Sequence, residues 1–209
     1  VGGFAVIIGG FKENDLLAID VVRGTSGKFD PQQITEDYAA LLKEYRITEG
    51  GRLYTIRLRK GIHFADDPAF GGRRRELVAK DYEFAIKRLI DPQIASPNAW
   101  LVEGRIEGLD EAKAAAKKAG RLDYDAPIRG IETPDRHTLR LRLVKPDYNF
   151  LYILAMGTLG AQAREVVERY GSDIGAHPVG TGPFVLKGWK RSSKIVLERN
   201  PGFREEYYE

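Results

Sequence analysis

Residues 53–64 read LYTIRLRKGIHF, and this pattern predicts a half-buried strand that ends in a turn. Tyr54, Ile56 and Leu58 alternate with threonine and arginine, so one strand face should lie on a core while the other faces water. Gly50-Gly51 stands just before the strand and predicts a tight turn leading into it.

Amphipathic helices are predicted on both sides of this strand. The earlier helix begins at Asp30 and Pro31, which are a typical cap and first residue, and runs to Tyr45. Its predicted apolar face consists of Ile34, Tyr38, Leu41, Leu42 and Tyr45. The later helix runs from about Ala79 to Ile90, and Asp91-Pro92 ends it.

The rest of the chain alternates between predicted strands and predicted helices. A hairpin is expected from residues 128–132 and 137–143, with its turn at residues 133–136. Helices are expected near residues 149–156 and 161–170, and two final strands at residues 184–189 and 194–199. Interleaved helices and antiparallel hairpins predict an α/β fold with mixed sheets.

Composition narrows the classes of function. The chain has 209 residues, of which 43% are hydrophobic and 30% charged, the balance of an ordinary globular protein. Its formal net charge of +3 is far below that of a typical DNA-binding module. There is no cysteine, and the three histidines are widely separated, so we predict neither a metal site nor a cofactor.

Two alternatives to a binding protein can be stated from the residues. Asp66 and Asp67 are adjacent carboxylates, and a hydrolase using either one is the enzyme alternative, although both are expected to be solvated. Arg73–Arg75 is the densest basic run and defines a weaker alternative, a nucleic-acid-binding module. Aromatic residues are not interleaved among the arginines as a base-stacking surface needs, and we assign no catalytic residue.

The most unusual string is HPVGTGPF, residues 177–184. Neither a Walker-type lysine nor a helix start follows it, so it does not fit a phosphate-binding loop. We interpret it as a rigid turn that leads into a strand, in which Gly180 and Gly182 can supply a positive φ. Thr181 and Gly182 of this loop, together with Trp100, are the candidate ligand-binding residues.

Three motifs, taken in order, resemble a known family. The first motif is residues 53–64, and the second is the predicted helix AKDYEFAIKRL at residues 79–89 with Asp91-Pro92 after it. The third is PVGTGPF at residues 178–184, followed by Trp189 and by LERNP at residues 197–201. They are similar to segments of the bacterial family 5 extracellular solute-binding proteins, the oligopeptide, dipeptide and nickel receptors of ABC importers. The likeness covers about Ile47 to Phe203.

The resemblance implies a lobe like that of type II periplasmic binding proteins, with mixed sheets and flanking helices. Residues 1–46 are not aligned with the family, and residues 47–209 correspond to its first lobe, ending near the junction between lobes. The second lobe is expected to lie outside these 209 residues, which we therefore interpret as a fragment.

The implied function is capture of a peptide or similar solute between two lobes and its delivery to a membrane permease, without covalent chemistry. The implied partners are that solute and the permease subunits of the ABC transporter, and nucleic acid is not among them. Contact with the membrane would come only through the permease or a lipid anchor. The implied location is the periplasm or another extracytoplasmic compartment.

Overall fold

The structure, a computed structural model, describes residues 42–204, with side chains described from residue 44 onward. The described chain forms two compact units. The sheet unit comprises residues 42–59 and 78–161, and the hairpin unit comprises residues 60–77 and 162–204. Residues 31–41 of the predicted first helix lie outside the described residues.

The sheet unit is built on a four-stranded antiparallel sheet. Its strands are β1 (Leu42–Thr48), β2 (Leu53–Leu58), β3 (Ile131–Asp135) and β4 (Thr138–Arg142), in the spatial order β1-β2-β4-β3. The alternation predicted for β2 is confirmed, since Tyr54, Ile56 and Leu58 are each at most 5% exposed.

The prediction that the first helix reaches Tyr45 is wrong, because Leu42–Thr48 is a strand. Gly50 and Gly51, both at positive φ, turn the chain back so that Tyr45 pairs with Ile56 of β2. Strand pairing gives the backbone its hydrogen bonds, and this outweighs a spacing of apolar residues that also fits a helix.

The hairpin of β3 and β4 is confirmed, but its turn lies later than predicted. β3 continues through Asp135, and the turn consists of Arg136 and His137. The Asp135 carboxylate accepts a hydrogen bond from the His137 amide at 2.8 Å, which closes this two-residue turn. That bond, with another from Thr138, holds the pKa of Asp135 below its usual value.

Three helices belong to the sheet unit: α1 (Ala79–Leu89), α2 (Leu109–Ala119) and α3 (Phe150–Leu154). α1 packs against β3 and β4, as its predicted apolar face required. Val78, the residue before α1, makes no side-chain capping hydrogen bond, and the buried Asp81 carboxylate accepts from the Val78 amide at 2.8 Å. Short 3-10 segments at Ala99–Leu101 and Gly157–Leu159 complete the unit.

A buried cation on α1 ties the helix to a distant loop. Lys87 is 2% exposed, and its Nζ atom donates to the Glu83 carboxylate at 2.7 Å and to the carbonyls of Tyr124 and Ala126, each at 2.9 Å. Close by, burial and then a 2.6 Å hydrogen bond to Asp91 raise the pKa of the Tyr124 hydroxyl. Buried charges are tolerated when they are paired and hydrogen-bonded in this way.

The hairpin unit contains α4 (Arg164–Tyr170) and the antiparallel pair β5 (Phe184–Lys190) and β6 (Lys194–Arg199). Two 3-10 segments, Pro68–Phe70 and Gly171–Ala176, lie on either side of α4 in sequence. The final two predicted strands are thus confirmed to within a residue. Every strand pair among residues 42–204 is antiparallel, where the sequence indicated mixed sheets. No helix in this range is long and apolar enough to cross a membrane.

Candidate ligand-binding site

The loop at residues 178–184 is held by hydrogen bonds to its carbonyl groups. The Gly180 carbonyl accepts from the Ala65 amide at 2.8 Å. Asn200, only 4% exposed, donates from Nδ2 to the Gly182 carbonyl at 2.9 Å and from its backbone to the Pro183 carbonyl at 2.7 Å. The loop is therefore clamped between the turn after β2 and the end of β6.

The expectation that Gly180 or Gly182 supplies a positive φ is wrong, since neither is among the glycines with positive φ. Pro183 favours an extended conformation for Gly182, the residue before it. The hydrogen bonds to the loop carbonyls hold the other residues of the loop. A Cβ atom built on Gly180 would lie 4.0 Å from its nearest neighbour, the Gly182 amide nitrogen. Space for a side chain therefore exists at Gly180.

A cleft of about 320 Å³ lies beside this loop in the hairpin unit. It is lined by residues 61–63 and 201–204, together with Arg74 and Thr181. A volume near 300 Å³ is at the lower end of pockets that hold small ligands. The cleft is therefore large enough for a small solute.

Arg204 and His63 of the cleft each make local contacts. The Arg204 guanidinium lies over the Phe203 ring, 4.7 Å from its centroid, and donates to the Thr181 carbonyl at 3.3 Å. The His63 Nδ1 atom lies 2.8 Å from the Gly61 carbonyl, which is an acceptor only, so Nδ1 carries the proton. The cleft thus presents two guanidinium groups and an imidazole whose tautomer is set.

The three predicted ligand-binding residues lie in different surroundings. Thr181 lines the cleft, whereas Gly182 is bonded through its carbonyl to Asn200. Trp100 belongs to the sheet unit, where it lies in the segment Ala99–Leu101 and is 60% exposed. No comparison tests these assignments, so all three stay predictions.

Of the acidic pair that defines the hydrolase alternative, Asp67 has a structural role. Asp67 caps the segment Pro68–Phe70 by accepting from the Ala69 amide at 2.8 Å, and the Tyr170 hydroxyl donates to its carboxylate at 3.0 Å. Burial and this hydrogen bond raise the pKa of Tyr170. Asp66 is exposed. Nothing in this arrangement separates the two carboxylates into an acid and a base in one pocket.

The basic run of the nucleic-acid alternative is divided among different neighbours. Arg75 pairs with Glu165 at 2.8 Å and lies over the Phe64 ring, whereas Arg74 lines the cleft. Although partial burial opposes it, the hydrogen bond from Arg75 holds the pKa of Glu165 below its ordinary value. A run whose members engage different partners does not form a continuous phosphate-binding stripe.

Sequence reasoning missed three residues of this site: His63, Asn200 and Arg204. Asn200 stands inside a quoted motif, but its burial, which requires hydrogen-bond partners for its side chain, is visible only in the structure. Among residues 42–204, no three His, Asp or Glu side chains lie together in a way that could hold a metal ion.

Comparison with known proteins gives one consistent result. The family model described as "Bacterial extracellular solute-binding proteins, family 5 Middle" matches residues 38–208. A relative from Escherichia coli, named probable deoxycholate-binding periplasmic protein YgiS, is 29% identical over 86% of this chain and 36% of its own length. The glutathione-binding protein GsiB of Salmonella choleraesuis is 26% identical over 99% of this chain and 35% of its own.

A solved structure agrees in fold. The ABC transporter-associated periplasmic binding protein DppA from Helicobacter pylori, in complex with the peptide STSA, is 27% identical with a TM-score of 0.58. The match covers 79% of this chain and 31% of that chain. This chain thus spans about a third of the length of the relatives it matches. Because the family model covers most of the chain, and the expected lobe fold is confirmed, the chain belongs to the bacterial extracellular solute-binding proteins of family 5.

Proposed function

We propose that this chain is part of the substrate-binding component of an ABC importer. It would contribute one lobe to a receptor that captures a peptide or similar solute between two lobes and passes it to a membrane permease. The observation that carries the proposal is the family match over residues 38–208, a range that includes all three motifs noted in the sequence. The lobe boundary at residue 47 and the periplasmic or extracytoplasmic location belong to the same proposal.

The relatives support a solute-binding role but differ in their ligands. One is named for deoxycholate, another for glutathione, and DppA is in complex with the peptide STSA. Each of these solutes carries a carboxylate at neutral pH, although they differ in size and shape. We therefore propose an anionic or zwitterionic solute, with a peptide as the first choice.

Binding without covalent chemistry accounts for the site as described. The cleft beside Thr181 offers hydrogen-bond donors and positive charge, and Asp67 of the acidic pair caps a short helical segment. A receptor of this type stabilises its closed form by contacts with the solute, and no bond is made or broken.

The proposal is tested on the natural gene product that contains these 209 residues. Isothermal titration calorimetry with tri- to pentapeptides, glutathione and deoxycholate should find one class bound with Kd near 1 μM, or about −8 kcal/mol. The 209-residue chain alone should bind the same solute with Kd above about 1 mM, because one lobe contacts only part of it. Failure of the gene product to bind any of these solutes would refute the proposal.

A further inference from the structure

The ammonium group of Lys87 is bound by three oxygen atoms from two parts of the sheet unit. Its Nζ atom donates to the Glu83 carboxylate at 2.7 Å and to the carbonyls of Tyr124 and Ala126, each at 2.9 Å. Carboxylates and backbone carbonyls only accept hydrogen bonds, so each of these contacts needs its own N–H group. The three donors of an ammonium group therefore match the three acceptors.

Two of these acceptor groups are also positioned by contacts that do not involve the ammonium group. The Thr133 hydroxyl donates to the second oxygen of the Glu83 carboxylate at 3.3 Å. The Tyr124 hydroxyl donates to Asp91 at 2.6 Å, and the Tyr124 ring packs against Phe84 with the ring centroids 4.9 Å apart. Loss of the ammonium group alone should therefore leave these oxygens close to their present positions.

The alkyl part of the Lys87 side chain is enclosed as well. The side chain as a whole is 2% exposed. Shortening Lys87 to alanine removes three carbons and the nitrogen, the equivalent of a propylammonium ion, from an enclosed space. A metal ion would fill only the oxygen end of that space, whereas an alkylammonium ion of the same length also fills the apolar part.

We propose that the Glu83 carboxylate and the carbonyls of Tyr124 and Ala126 form a binding site for a primary ammonium ion, which Lys87 occupies in the unaltered chain. An external propylammonium ion binds there once Lys87 is shortened to alanine. Occupation of the site holds residues 124–126 against α1 and so stabilises the sheet unit. The inference does not depend on the receptor role, since all of these residues lie outside the hairpin unit.

The test is urea unfolding of the Lys87→Ala chain at pH 7, followed by far-UV circular dichroism, with and without propylammonium chloride. With a Kd of about 10 mM, propylammonium at about 100 mM should lower the unfolding equilibrium constant about tenfold. Ethylammonium should bind about fourfold more weakly, because a buried CH₂ group is worth about 0.8 kcal/mol. A change below about twofold with propylammonium at this concentration would overturn the proposal.

Two control solutes separate the site from general effects of the added salt. Tetramethylammonium chloride carries the same charge without an N–H donor, and 1-propanol has the same alkyl chain without the charge. Lys113→Ala is the matched control variant, because the Lys113 side chain is 42% exposed in its ion pair with Glu103. Propylammonium should stabilise Lys87→Ala and leave both the unaltered chain and Lys113→Ala unchanged. An equal gain from either control solute, or in Lys113→Ala, would overturn the proposal.

A second variant tests the carboxylate directly. In Lys87→Ala combined with Glu83→Gln, propylammonium should bind at least about tenfold more weakly, since a hydrogen bond to a charged group is worth about 1.5–3 kcal/mol. Equal binding with and without Glu83→Gln would contradict the assignment.

The proposal stays testable if Lys87→Ala is unfolded in buffer alone. The readout is then recovery of the far-UV circular dichroism of the unaltered chain. Recovery in propylammonium chloride but not in tetramethylammonium chloride supports the site. No recovery in propylammonium at about 500 mM, fifty times the expected Kd, would overturn it.

Discussion

Asn200 holds the loop at residues 178–184, and its replacement should destabilise the hairpin unit measurably. Asn200→Ala removes the donor to the Gly182 carbonyl at 2.9 Å and the acceptor for the Gly202 amide at 3.0 Å. Each such bond is worth about 1 kcal/mol net, and leaving a buried partner unsatisfied adds to the loss. We therefore expect the free energy of unfolding to fall by about 2–3 kcal/mol.

The measurement is urea unfolding followed by the fluorescence of Trp189, in a Trp100→Phe background so that the signal comes from the hairpin unit alone. Asn149→Ala is the control, because Asn149 is exposed and caps α3 without a side-chain bond. Asn200→Asp should cost at least as much as Asn200→Ala, since it puts a carboxylate oxygen against the Gly182 carbonyl. A loss below about 0.5 kcal/mol for Asn200→Ala would refute the reasoning.

Three further predictions concern other parts of the molecule. Lys87→Met should lower the free energy of unfolding by about 3 kcal/mol, because the partly buried Glu83 carboxylate loses its cation and the carbonyls of Tyr124 and Ala126 lose this donor. Lys113→Met, in an exposed ion pair, should cost under about 1 kcal/mol, and urea unfolding of both variants checks the difference. Gly130→Ala should lower the free energy of unfolding by about 2 kcal/mol in the same assay, because its Cβ would lie 2.6 Å from the Glu107 carbonyl oxygen. Gly180→Ala, where there is space for a side chain, should be nearly neutral. Equal effects of the two substitutions would contradict the packing argument. The pKa of Glu165 is below its ordinary value of 4.5, so its contribution to stability is present above that pH and is lost as the pH falls through the folded-state pKa. Glu165→Gln should therefore reduce the change of the urea midpoint with pH in that range. A pH dependence of the midpoint equal to that of the unaltered chain would contradict this.

The sequence predicted the strands of the sheet unit well where alternation of apolar and polar residues alone decides which side chains are buried. In β2 and β4, alternating apolar residues face one core, and Tyr54, Leu139 and Leu141 are buried as expected. The boundary at Leu42 could not be predicted in the same way, because Leu42 and Tyr45 fit a helix by spacing. What makes them a strand is pairing with β2, and no pattern in residues 31–45 contains that information.

The cleft could not be predicted from sequence because its lining comes from segments far apart in the chain. Each of these segments has an ordinary interpretation when it is considered alone. The segment after β2 is a turn, the basic run is a set of solvated charges, the segment before β5 is a rigid loop, and the segment after β6 is the end of a strand. Hydrogen bonds of high sequence separation bring them together, from the Ala65 amide to the Gly180 carbonyl and from Asn200 to Gly182. Arg74 and Thr181 line one cleft only once the chain is folded in this way. Asn200→Ala removes the second of these bonds and so tests how much it contributes to holding the loop.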